Sequence, residues 1–191
     1  MRNFLGSRLV VTITLSAGMF VEFAHQASLS AAENAAPQVP NQNTLITQHL
    51  EKLKFHCSTA WGGWPAARAF DGDKTTSWFT ARGDAAAHGK TPWIEVEFPA
   101  DVTVRRATLH ANREAPWEVG YTIRVGRLEF FDAAGKVVYV KSGELGGKHE
   151  EIEFRPTTPI TNVRRIRFTS IQDDGDKNPY DDIALGEMFV E

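Results

Sequence analysis

Residues 69–78, Ala-Phe-Asp-Gly-Asp-Lys-Thr-Thr-Ser-Trp, put two carboxylates, three hydroxyls, a glycine and a large aromatic into ten positions. Asp-Gly marks a tight turn, because Gly accepts positive φ and Asp caps its own backbone. Folded about that turn, Asp71, Asp73 and Thr76 direct several oxygens toward one point. A hard cation such as Ca²⁺ asks for this, about 6–8 oxygen ligands of which some are backbone carbonyls. The same composition serves an ordinary hydrogen-bonded acidic turn, and the twelve-residue spacing of an EF-hand is missing. The ten residues leave both readings open, with Trp78 covering the site or plugging the core.

Little else in the chain carries the marks of catalysis. His-Glu-x-x-His, Gly-x-Ser-x-Gly and a phosphate loop do not occur. His49, His56, His88, His110 and His149 are scattered without metal-ligand spacing. A pair of acids for glycoside hydrolysis is compatible with the composition, yet nothing in the spacing singles one out. Cys57 is the single cysteine, so no intramolecular disulfide forms; it reads as a buried thiol on the first strand. Residues 173–182 are dense in carboxylates but lack the register of a calcium loop, and read as a solvated acidic turn with Tyr180 at hand for a ligand. Arg82-Gly83-Asp84 spells an adhesion tripeptide that is too short to weigh. With 21 basic against 24 acidic residues and no basic block, the chain is poorly matched to nucleic acid.

These side chains need elements to position them. The 191-residue chain opens with Arg2 and Arg8, a mostly apolar run over 9–24, and small residues to Ala32. Those are the parts of a secretory signal peptide, expected over 1–32 with cleavage near 27 or 32. The run is too short to span a membrane, so no anchor is expected after cleavage, and the product is secreted or periplasmic. Residues 33–48, rich in Ala, Pro, Gln and Asn, read as a linker. Residues 49–191 then form one domain, opened by a helical turn over 47–53 and with a second at 66–70. In residues 93–98, Ile94, Val96 and Phe98 alternate with acids, the period of a half-buried strand. Further strands are expected over 55–59, 102–111, 121–131, 136–140, 149–154, 162–171 and 183–190, with a phase slip near Gly126. Seven or eight short strands with almost no helix predict an all-β, antiparallel jelly-roll sandwich.

The order of these landmarks resembles the discoidin, or coagulation-factor type C, domains and their galactose-binding-like carbohydrate-binding relatives. Matching stretches are the Asp-Gly loop, Trp93-Ile-Glu-Val-Glu-Phe98, Leu109-His-Ala-Asn-Arg113, Tyr121 to Gly135, Arg164-Arg-Ile-Arg167 and Ile183-Ala-Leu-Gly-Glu-Met-Phe-Val190. The ending Asp-Asp-Ile-Ala-Leu-Gly-Glu is similar to the glycan-binding domains found beside bacterial NAD-glycohydrolase toxins. The resemblance implies a structural calcium held by the Phe70 carbonyl, Asp71, Asp73, Thr76 and Glu187. It also implies a sugar site on the end loops. Arg113 stands where sugar binders carry an arginine, with Asn112 beside it and Trp117 in the same loop to stack on a pyranose. Phe79 replaces the histidine that many galactose binders place after Trp78. Trp61 and Trp64, flanked by glycines, are a second aromatic pair, whereas Trp78 and Trp93 are read as core. The implied function is a non-catalytic, calcium-stabilised module that binds a glycan or cell-surface polysaccharide. The rival is a protein–protein adaptor or adhesion domain of the same fold in the cell envelope.

Overall fold

Among the described residues nine strands fall into two sheets, and the chain changes sheet at most connections. They are β1 (Lys54–Cys57), β2 (Trp78–Phe79), β3 (Trp93–Val104), β4 (Ala107–Ala111), β5 (Ile123–Phe131), β6 (Val137–Glu144), β7 (Glu151–Phe154), β8 (Ile160–Asp173) and β9 (Ala184–Val190). One sheet has the order β1-β3-β8-β5-β6, the other β2-β9-β4-β7, and every pairing of these strands is antiparallel. This is the expected sandwich. The computed structural model describes residues 44–145 and 150–191. The expected signal peptide, most of the expected linker and His149 therefore lie outside the described residues. Among the described residues no helix is long and apolar enough to cross a membrane.

The folded unit begins earlier than residue 49. A short helix, α1 (Thr44–His49), sends Ile46 into the main core, where it is 1% exposed. The polar composition around it hid one apolar anchor inside the expected linker. The strand expected over 102–111 is in fact two half-elements. Residues 102–104 continue β3 past Pro99, while 107–111 start β4 in the opposite sheet. The switch happens at Arg105 and Arg106, whose backbone N–H groups both donate to the Glu191 carbonyl, at 2.5 and 3.0 Å. Each half keeps its own alternation, with the phase slipping by one residue from Val102 and Val104 to Ala107 and Leu109. Two-residue β2 was also not foreseen, since it is too short to show a period.

Ile94, Val96 and Phe98 from β3, Leu128 and Phe130 from β5, and Ile166 and Phe168 from β8 meet Leu109, Leu185 and Val190 of the other sheet in one continuous core. Trp78 is fully buried there, as expected. Trp93 is only half-buried and carries the Arg167 guanidinium 4.1 Å above its ring. Cys57 is half-buried as well, not enclosed, although burial still pushes its thiol pKa up.

The expected phase slip in β5 is present: the register against β8 shifts on both sides of Val125. At Gly126 a Cβ would stand 2.0 Å from the Phe168 ring, so only glycine lets the bulged strand pass that ring. Gly126→Ala must displace a fully buried phenylalanine. It is expected to cost about 1–3 kcal/mol of unfolding free energy, the range for overpacked cores, measured by urea denaturation. An unchanged midpoint would mean that Phe168 has room to move aside.

Candidate functional site

The Asp-Gly loop folds as two successive Asp-capped turns. Asp71 Oδ1 accepts from the Asp73 amide at 2.8 Å, and Asp73 Oδ1 accepts from the Thr75 amide and hydroxyl at 2.8 and 2.6 Å. Gly72, at φ 83°, supplies the left-handed residue between them. The hydrogen bonds from Thr75 hold the Asp73 carboxyl below its ordinary range. Thr76 Oγ1 lies 2.9–3.3 Å from four acceptors: both Asp71 carboxylate oxygens and the carbonyls of Arg68 and Asp73. One hydroxyl proton serves one of them. The loop therefore crowds oxygens together, with few donors among them.

Beneath it stands Glu187 of β9, 0% exposed. Its Oε2 accepts from the Gly72 amide at 3.2 Å, and its buried Oε1 has no hydrogen-bond partner. Burial, and next the charge of Asp71, push this carboxyl up to about 9. A neutral carboxylic acid, or a carboxylate facing a cation, are the two physical solutions for such a group. Among the described residues no three or more His, Cys, Asp or Glu side chains are gathered as a metal centre. A cation here has to draw on hydroxyl and carbonyl oxygens besides the carboxylates. Phe70 offers its backbone only, since its ring is buried and stacks on Phe55 at 4.9 Å.

A second feature forms where the 61–65 loop, β2, the 112–117 loop and the approach to β9 converge. The rings form a continuous series: Trp61 against Tyr180, Tyr180 against Trp117, Trp117 against Tyr121, Tyr121 against Phe79, and Phe79 against Trp64. Centroids lie 5.5–6.2 Å apart, within the range of favourable edge-to-face pairs. Together with Asp182 they enclose a pocket of about 200 Å³. The backbone explains the arrangement. Trp61 donates its N–H to the Phe79 carbonyl at 3.0 Å, which pins the Gly-rich loop alongside β2. A parallel bridge from Thr122 to Ala184 sets Tyr121 beside the entry to β9.

Polar groups lock the walls. Trp64 Nε1 and the Arg68 guanidinium both donate to Glu114 Oε1, at 2.7 and 2.8 Å. Trp61 Nε1 donates to Asp182 Oδ2 at 2.6 Å. Asp182 is 1% exposed and its Oδ1 has no partner. Burial above all pushes its carboxyl up to about 6.

Of the anticipated ligand residues, Trp64, Phe79 and Trp117 meet in this pocket. Asn112 does not line it. It is 3% exposed, accepts from Ser77 Oγ at 2.7 Å and the Glu114 amide at 3.0 Å, and donates to the Trp117 carbonyl at 2.6 Å. Its amide shapes the loop that carries Trp117, using both acceptor positions of Oδ1 and one N–H in doing so. Arg113 is half-buried in the same loop and is not among the lining side chains. The residues missed were Tyr121 and Asp182, each just before a strand, where sequence gives no sign of what the strand will pass. Residues 173–182 do not form a solvated turn. Asp173 caps the 86–88 turn through the Ala86 and Ala87 amides, Asp174 pairs with Arg124 and Lys177, and both are buried with Asp182. The adhesion tripeptide is occupied internally as well, Asp84 accepting from Ser58 and Thr59.

The fold recurs in solved structures. The family 32 carbohydrate-binding module of Clostridium perfringens NanJ, solved with galactose, superposes with a TM-score of 0.60 at 18% identity, covering 74% of this chain and 95% of that one. The lectin domain of lectinolysin, solved with Lewis b antigen, gives 0.56 at 19% identity, over 73% of this chain and 92% of that one. Chitosan-binding module 1 of a Paenibacillus chitosanase/glucanase gives 0.52 at 22%, over 72% and 93%. No curated protein matches the chain in sequence. The F5/8 type C domain matches residues 54–185, from the first residue of β1 into β9. With most of its length so matched, this chain belongs to the F5/8 type C domain family.

Proposed function

We propose that this domain is a non-catalytic binding module that holds a glycan at the aromatic pocket. The pocket itself carries the reading: six rings and one carboxylate around about 200 Å³, set on loops braced by Glu114 and Asn112. Aromatic faces stack on the apolar faces of sugars, and a few polar groups nearby fix orientation. Trp64, Phe79 and Trp117 supply the stacking surfaces, Arg113 reaches the ligand's hydroxyls from the adjoining loop, and Asn112 holds that loop in place. Structures of this fold with galactose and Lewis b bound support a carbohydrate ligand. A protein–protein adaptor needs a broad exposed apolar patch; a concave ring-lined pocket favours the small ligand. The leader-like pattern of residues 9–24 supports a place outside the cytoplasm.

The scaffold reading is calcium at the Asp-Gly loop. The Phe70 carbonyl, Asp71, Asp73, Thr76 and Glu187 would hold it, and the partnerless Glu187 Oε1 together with the over-subscribed Thr76 hydroxyl supports the fit. The ion would supply the positive charge that this oxygen-rich loop lacks.

A glycan array probed with the purified domain tests the first reading. Arg113→Ala and Trp117→Ala are each expected to weaken the best hit by about tenfold, or 1.4 kcal/mol. No glycan bound by a folded domain would sink the reading in favour of a protein partner, to be sought by pull-down.

Thermal unfolding in calcium and in EDTA tests the second. Calcium at about 100 times its Kd adds about 2.7 kcal/mol, roughly 5–10 °C for a domain of this size. Glu187→Gln should abolish that increment while remaining as stable as the parent in EDTA. The pH sign follows from a carboxyl raised from 4.5 to about 9 in the metal-free fold. Its protonated form contributes stability that is lost as pH rises through that window. Calcium requires the carboxylate, so its increment grows as the pH rises toward 9. A melting temperature indifferent to calcium at every pH would leave the loop as a hydrogen-bonded turn.

A further inference from the structure

The aromatic pocket has an electrostatic character that neutral sugar binding does not use. Its rings are arranged as the walls of a box: successive planes meet at 65–86° around the cavity. A ring face that lines such a cavity carries the negative side of an aromatic quadrupole, to which a cation is attracted. At the edge of the box Asp182 is 1% exposed, with one oxygen satisfied by Trp61 and the other without a partner. The neighbouring charge that raises its pKa further is a second carboxylate, Asp181. A buried, half-satisfied carboxylate against six aromatic rings is costly in isolation and strongly complementary to a positive ligand.

The hydrogen-bonding capacity of the walls narrows the ligand further. The Trp61 and Trp64 indole N–H groups are spent on Asp182 and Glu114, and the remaining wall is almost wholly ring carbon. A neutral sugar stacked on these rings leaves the Asp182 carboxylate unanswered. A methylated ammonium carries its charge under an apolar skin and needs no hydrogen-bond acceptors. We propose that the box formed by Trp61, Trp64, Phe79, Trp117, Tyr121 and Tyr180, with Asp182, is a cage for an organic ammonium ion. A quaternary ammonium suits it best; the ammonium of an amino sugar shares the charge and is the other source. The inference rests on reading this pocket as the ligand site, and it names the group that enters it.

Titration calorimetry at a pH above 6, with indole fluorescence as a second readout, tests the cage on the whole domain. The probes are choline, its uncharged carbon isostere 3,3-dimethyl-1-butanol, chitosan oligosaccharide and galactose. Choline or chitosan oligosaccharide is expected to bind, the uncharged isostere to bind about tenfold more weakly or worse, and Asp182→Asn to erase that preference. The asparagine keeps an acceptor for Trp61, so the fold is retained; the isostere makes the same comparison on the unaltered chain. Choline binding assigns the cage to quaternary ammonium, and chitosan binding without choline assigns it to an amino sugar. Equal affinity for choline and its isostere, or no ammonium binding by the folded domain, overturns the proposal. If the cage is overturned, a neutral glycan hit leaves the glycan reading standing; if choline binds in preference to its isostere and no glycan is hit, the glycan reading falls and the cage stays.

Discussion

Everything functional in this molecule hangs on the placement of the last strand. β9 is inserted between β2 and β4, and all seven of its residues are buried. A strand buried on both faces contributes apolar area from both, so its pairing is costly to disturb. The tolerance is small. A Cβ at Gly186 would meet the Ala111 carbonyl at 2.6 Å, so the absence of a side chain sets how closely β9 and β4 approach. Because β9 pairs with β2, the residues flanking the two strands are forced together: Glu187 lies beneath the Asp-Gly loop, and Asp182 arrives beside Trp61.

Two buried carboxylates follow from that pairing, and they share a physical logic. Glu187 and Asp182 each have one oxygen satisfied and one without a partner, and burial raises both pKa values. Glu95 shows the contrasting solution. It is equally buried, but Arg165 and Arg167 reach it from the adjacent strand at 3.4 and 2.9 Å. The domain neutralises an internal carboxylate with arginine where the role is structural. Glu187 and Asp182, each left with an unpartnered oxygen, sit beside the crowded oxygens of one loop and the rings of another. In the readings proposed above, the first would receive a hard cation and the second a soft one.

The rigidity of the pocket comes from loops tied to one another, since no single strand carries it. Glu114 bridges Trp64 and Arg68, and Asn112 clamps its own loop to Ser77 and Trp117. Their buried polar groups reach across 35 to 50 residues of sequence. Networks of this kind specify one geometry because each member left unpaired would cost free energy.

Sequence alone determined the local facts. The alternation of Ile94, Val96 and Phe98, the turn at Asp71-Gly72 and the slip at Gly126 are written in neighbouring residues, and each appears where the spacing puts it. The family resemblance, not spacing, singled out Phe79 and Trp117 for a ligand and Glu187 for a cation, while Trp61 and Trp64 stood out as a glycine-flanked aromatic pair. Tertiary structure decided what those residues meet. The turn of the chain at Arg105 and Arg106 depends on the Glu191 carbonyl, 85 residues away in sequence, and no local period records it. Asn112 became a brace, Asp173, Asp174 and Asp182 went inside, and Tyr121 joined the pocket because strand order placed them there. Local conformation is a property of adjacent residues. Burial, pairing and the shape of a pocket are properties of strands brought together from opposite ends of the chain, which spacing within any one segment cannot encode.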